Sequence, residues 1–163
     1  MSLAIPDLNA VMVQAVEECI THVDQGGLPF VGVLVNETGV ISEFGVNRVR
    51  QTRDPQAHAE IEAMRDAKVT QGFKSLAGTV LLATGEPCGL CYRFAIDHGV
   101  EAIYVALDRD EVADLGFDYR GSYPALGITD QARAELVHRL PVERGTEPFT
   151  RFISLNTFTH LKR

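Results

Sequence analysis

Three short apolar runs, "LPFVGVLVN" (28–36), "GTVLLAT" (78–84) and "VEAIYVAL" (100–107), are separated by segments with helical patterning. Each run has the length and the Val, Ile and Leu content of a buried strand, and is too short for a buried helix. Strands buried on both faces need helices on both sides, and the intervening segments supply them. "LNAVMVQAVEECITHV" carries Leu8, Val11, Met12, Ala15, Val16, Cys19, Ile20 and Val23 at helical spacing, which makes Cys19 a small core residue. "DPQAHAEIEAMRDAKVTQG" predicts a helix with Asp54 near its start, Pro55 in the first turn and Gly72 beyond its end. "EPCGLCYRFAIDHG" predicts a helix opened by Pro87 and closed by Gly99. "VISEFGVN" reads as a hairpin partner of the first strand, which makes the sheet mixed. Beyond the third strand, "DRDEVADLG" predicts a short helix, "FDYRGSYPALGIT" a loop and "DQARAEL" a helical turn. "VHRLPV" predicts an edge strand and "EPFTRFISLNTF" a terminal helix. The expected fold is α/β: a three-layer α/β/α sandwich around a central mixed sheet of about five strands, with residues 1–163 as one domain.

Charge and composition narrow the functional classes. A formal net charge of −7 disfavours broad nucleic-acid or membrane-surface binding, which needs a basic face. No apolar run approaches the roughly 20 residues of a membrane-spanning helix. The N-terminus lacks a basic stretch followed by a long apolar one, so no signal peptide is expected. Three cysteines in such a chain point to a reduced, cytoplasmic setting, where thiols serve metals or catalysis more often than disulfides.

Two thiols, Cys88 and Cys91, stand three apart at the start of a predicted helix, on one side of its first turn. Thiolates there are stabilised by free backbone N–H groups and the positive helix end. His58 stands at another predicted helix start, two residues before Glu60. Brought together, His58, Cys88 and Cys91 give a metal three protein ligands and leave a fourth tetrahedral position open, as in catalytic zinc sites. Two thiolates neutralise a zinc dication, and a water beside it becomes acidic near neutral pH. Glu60 is then placed to move protons rather than to coordinate. A zinc that only staples two helices, or a redox Cys-x-x-Cys pair, accounts for fewer of these residues: the redox reading leaves His58 and Glu60 unused.

H-x-E followed by P-C-x-x-C resembles the signature of zinc-dependent nucleobase deaminases. From "GGLPFVGVLV" to "VALDRDEVADLGFD", over half of the chain, the sequence is similar to the cytidine deaminase-like superfamily, and within it to the guanine deaminase and tRNA adenosine deaminase branch. The resemblance rests on Pro29-Phe30, Asn47, "DPQAHAE" and "TGEPCGLC". It implies one zinc per chain, Asn47 hydrogen-bonding the substrate, Phe30 packing on the base and the Ala59 N–H meeting a polar ring atom. Guanine deaminases of the branch often read Gly-Phe-Asp-Asp, with the second acid helping to read the base. Here Gly116-Phe117-Asp118-Tyr119 stands in its place, so Asp118 is the acid left to substitute.

The resemblance implies a hydrolytic deaminase of a free purine or related heterocycle, guanine first. Deamination of a cytosine-type ring, deamination of tRNA adenosine and a non-enzymatic zinc-stapled module are the alternatives. Expected partners are a small nucleobase-like substrate and a second copy of the chain, with neither membrane nor nucleic acid. Three phenylalanines in the last segment, Phe149, Phe152 and Phe158, predict that it packs either on its own domain or, as the resemblance implies, with residues 143–163 covering an active site, their own or a partner's.

Overall fold

The computed structural model describes residues 7–161, with side chains to residue 157. Helix α1 (Leu8–Asp24) is followed by β1 (Val31–Asn36), β2 (Gly39–Val40) and β3 (Gly45–Val46). Next come the short α2 (Val49–Thr52), α3 (Ala59–Arg65) with a wider turn over Asp66–Thr70, β4 (Val80–Gly85) and α4 (Gly89–His98). β5 (Ala102–Leu107), α5 (Arg109–Asp114), α6 (Ser122–Ala125), α7 (Asp130–Leu136), β6 (Val137–Arg139) and α8 (Glu147–Leu161) complete the chain.

The strands form one sheet in the order β2-β1-β4-β5-β6, with β3 also paired to β1. β1 runs antiparallel to β4, whereas β4, β5 and β6 are mutually parallel. The sheet is mixed, as predicted. The expected hairpin partner of β1 is broken into two short pieces, because Ser42 leaves the ladder and its hydroxyl accepts the Leu34 N–H at 2.9 Å. Counted as one interrupted strand, these pieces bring the sheet to the expected number.

The alternation of side chains along each strand divides the core into two layers. Val31, Val33, Val35, Val80, Leu82 and Ala106 face α1 and meet its buried stripe of Val11, Met12, Ala15, Val16, Cys19 and Ile20. Leu34, Leu81, Ala83, Ile103 and Val105 face the other way and pack with Ile61 and Met64 of α3 and Cys91, Tyr92 and Ala95 of α4. Cys19 lies in the first layer, fully buried, and burial pushes its thiol up to about 12. Among the described residues, no helix is long and apolar enough to cross a membrane.

Two element boundaries differ from the expectation. The "DPQAHAE" helix starts at Ala59 rather than near Asp54. Asp54 instead closes a turn: its carboxylate accepts the Gln56 N–H at 2.9 Å and its carbonyl the Ala57 N–H at 3.0 Å. The predicted loop after α5 contains the single helical turn α6.

Candidate active site

His58 and Cys88 occupy equivalent positions. Each is the N-cap of its helix in extended conformation, His58 for α3 and Cys88 for α4, and neither side chain caps its own helix. An N-cap side chain ordinarily accepts a hydrogen bond from the first turn. Here both point across the gap between the two helix starts. Close packing of α3 on the sheet brings the ends together: a Cβ on Gly45 of β3 would lie 2.3 Å from the Ala59 carbonyl oxygen and 2.7 Å from the Ala63 nitrogen. Only a glycine lets the helix backbone come this close.

Nδ1 of His58 lies 3.5 Å from both Cys88 Sγ and Cys91 Sγ, and the two sulfurs are 3.8 Å apart. Zinc bonds of about 2.0–2.1 Å to nitrogen and about 2.3 Å to sulfur set tetrahedral edges of about 3.6 Å (N to S) and about 3.8 Å (S to S). The observed triangle has the size of one tetrahedral face, and one nitrogen with two sulfurs is a donor set suited to zinc. Among the described residues, His58, Cys88 and Cys91 are the group of potential ligands that converges this closely. Without a metal, the hydrogen bond from Cys91, together with that from His58, draws the Cys88 thiol down to about 4. Burial raises the Cys91 thiol, and the hydrogen bond to Cys88 raises the His58 imidazole.

Glu60, in the first turn of α3, is 4% exposed, and its Oε2 lies 3.3 Å from Cys91 Sγ. Burial, with the Cys88 charge beside it, pushes its carboxyl up to about 7. A carboxyl poised near neutrality can both accept and return a proton.

The cavity above this cluster is lined by Leu28, Phe30, Asn47, Ala59, Glu86, Phe117 and Tyr119 along with His58, Glu60 and Cys88. The structure therefore gathers seven of the eight residues singled out in the sequence, Cys91 sitting beneath the cavity floor. Phe30 precedes β1, and antiparallel pairing of β1 with β4 sets it at the end of the sheet from which the Cys88 segment emerges. Its ring meets Phe117 and Phe149 edge-on at 5.3 and 5.4 Å, with Tyr119 at 6.1 Å. Asn47 accepts the Val49 N–H at 3.1 Å, which fixes its amide at the rim. As the first residue of α3, Ala59 has an N–H with no intrahelical partner.

Asp118 is the residue not brought in. Its carboxylate turns to solvent and binds the Arg120 guanidinium at 2.9 and 2.8 Å, which with the Arg120 backbone N–H draws its carboxyl down to about 2. Phe117 and Tyr119 face the cavity, whereas Asp118 faces away.

Sequence reasoning assigned no role to Leu28, Glu86, Phe117 or Tyr119. Glu86 stands within the recognised "EPCGLC" motif, and its carboxylate is fully buried. It accepts hydrogen bonds from the Tyr92 hydroxyl at 2.7 Å, the Arg109 N–H at 2.8 Å and the Arg133 guanidinium at 2.5 and 2.8 Å. The i, i+2 spacing of Phe117 and Tyr119 was the signal available for the aromatic wall.

Residues 6–107 match the model of the family described as the cytidine and deoxycytidylate deaminase zinc-binding region. The chain is 29% identical over 123 residues to the guanine deaminase of Bacillus subtilis (strain 168), covering 76% of this chain and 78% of that protein. It is 33% identical over 96 residues to the tRNA-specific adenosine deaminase of Aquifex aeolicus (strain VF5), covering 58% of this chain and 63% of that protein. The X-ray structure of the guanine deaminase from Bacillus subtilis superposes with a TM-score of 0.64 at 27% identity, covering 88% of this chain and 91% of that one. These relatives represent both arms of the branch that the motifs resemble. A triangle of one imidazole and two thiols at two helix starts, a buried carboxyl beside it and a family match spanning both motifs lead to one conclusion: the chain belongs to the cytidine and deoxycytidylate deaminase zinc-binding family.

Proposed function

We propose that this protein is a zinc-dependent hydrolytic deaminase of a free purine base, guanine first, in which residues 1–163 act as one domain. The observation that carries the reading is the tetrahedral-face triangle of His58, Cys88 and Cys91, with the buried carboxyl of Glu60 beside it on the floor of an aromatic cavity. The guanine deaminase relative and its matching structure support the purine assignment.

His58, Cys88 and Cys91 would hold one zinc. Bound there, zinc supplies Lewis acidity that makes a water a competent nucleophile near neutral pH. Glu60 takes one proton from that water and passes it to a ring nitrogen as the water's oxygen adds to the amine-bearing carbon. It then carries the second proton from that oxygen to the departing amine. The carbon–nitrogen bond breaks, ammonia leaves and the ring keeps a carbonyl. Phe30 and Phe117 present apolar surface to the base, while the Asn47 amide and the Ala59 N–H fix its polar edge. Enclosure by aromatic rings keeps other water away from the reacting centre.

The chain is proposed to act in the cytoplasm as a homodimer, with residues 143–163 closing an active site. Ammonia release from a panel of guanine, adenine, cytosine and tRNA is the test. Turnover of guanine ahead of the others supports the reading. Turnover of cytosine alone replaces it with the pyrimidine one, and turnover of tRNA alone with the tRNA-editing one. A zinc-loaded protein that releases no ammonia from any of them is a stapled module.

A further inference from the structure

The thiol of Cys88 occupies the N-cap of α4 without capping it. The first backbone N–H of the helix is taken up from a neighbouring element. The Gly89 N–H, the first of the helix, donates to Ser122 Oγ at 2.8 Å, and the Ser122 hydroxyl donates onward to the Tyr119 carbonyl at 2.6 Å. The fit is tight: a Cβ on Gly89 would lie 2.3 Å from the Ser122 carbonyl oxygen. On the other side of Cys88, the Tyr123 hydroxyl donates to the Pro87 carbonyl at 2.5 Å. The Tyr119 hydroxyl donates to the Glu86 carbonyl.

A residue's backbone conformation is fixed once the peptide planes on both sides of its Cα are fixed. The Pro87–Cys88 plane is held by Tyr123 and the Cys88–Gly89 plane by Ser122. Both partners come from α6, a four-residue turn packed against α4. Tyr123 is itself 2% exposed and meets the Tyr92 ring at 5.5 Å, so its hydroxyl is supported by the core.

We propose that Ser122 and Tyr123 are positioning residues, holding the backbone on both sides of Cys88 so that its sulfur is aimed at the metal. The inference rests on the reading that His58, Cys88 and Cys91 hold zinc. Outer partners that orient a ligand typically change metal affinity by about 10- to 100-fold.

The test uses the full-length protein, with Ser122→Ala and Tyr123→Phe as separate variants. Zinc affinity is measured by competition with a chromogenic chelator, and melting temperature with and without zinc. Cobalt(II) in place of zinc reports the ligand geometry through its visible absorption. The expected result is affinity lower by about 10- to 100-fold in each variant, a smaller zinc-induced rise in melting temperature and a shifted cobalt spectrum. A merely structural role would lower both melting temperatures alike and leave the rise, the affinity and the spectrum unchanged, and that result overturns the inference alone. A wild-type protein that takes up no zinc overturns the metal reading and this inference with it.

Discussion

Glu60 and Cys88 differ in what their loss should do, although they lie at the same cluster. Glu60 touches Cys91 but is not one of the three converging ligand groups. Glu60→Gln is expected to keep zinc and fold while losing about 10²- to 10⁴-fold in turnover, the range for general acid–base catalysis. Zinc content and ammonia release measured on one preparation check this, and a near-normal rate would leave Glu60 only structural. Cys88→Ala removes one corner of the triangle. It should lose zinc, and its melting temperature should drop, because metal binding couples to folding. Full zinc retention in that variant would refute the ligand assignment. At Asp118 the ion pair with Arg120 is exposed, so Asp118→Asn is expected to leave both activity on a free base and the melting temperature unchanged. Loss of base turnover in that variant would show that the acid does read the substrate.

Among the elements, α3 and α4 carry the chemistry, and both owe their placement to close approach against a neighbour. α3 rests on β3 through Gly45, whose absent side chain lets the Ala59 carbonyl and Ala63 come down onto the strand. Gly45→Ala should push the helix away, costing about 1–3 kcal/mol as other overpacking changes do. For a chain of this size that is a fall of roughly 2–4 °C in melting temperature per kcal/mol. Because His58 moves with the helix, zinc affinity should fall in the same variant. A thermal melt paired with a chelator titration measures both, and unchanged affinity would mean that the His58 position does not depend on this contact.

For the molecule as a whole, the terminal helix decides whether the aromatic wall is complete. In the single chain, α8 lies against α1, with Arg151 paired to Asp24 at 2.8 Å. Phe149 is fully buried between Phe30 and Phe117, and Phe152 meets Phe117 at 5.3 Å. The Phe158 side chain lies outside the described residues. Truncation after Val142 removes this backing, and Phe149→Ala alone should cost about 3–5 kcal/mol, as for other buried aromatics. Both changes should weaken turnover of free bases far more than zinc binding, because His58, Cys88 and Cys91 converge at the starts of α3 and α4, outside the removed segment. Ammonia release and zinc content of the truncated and intact proteins, side by side, make the comparison. Sedimentation of the intact protein tests the proposed dimer.

The sequence by itself determined the layers, the sheet and the three side chains that could hold a metal. Its strand signals were short apolar runs and its helices had apolar stripes, both readable without reference to the rest of the chain. His58, Glu60, Cys88 and Cys91 were legible for a related reason: the proposed metal coordination and proton transfer would demand particular residue types at fixed positions relative to helix starts. What only the tertiary structure decided was the surroundings of those groups. Tyr119 rather than Asp118 lines the cavity, and Ser122 accepts the first N–H of α4. Glu86 forms an internal ion pair with Arg133, 47 residues away. Each of these is a choice between chemically acceptable partners, and local patterns do not rank such partners. The choice falls to whichever group the packed elements carry within about 3 Å, where a hydrogen bond forms.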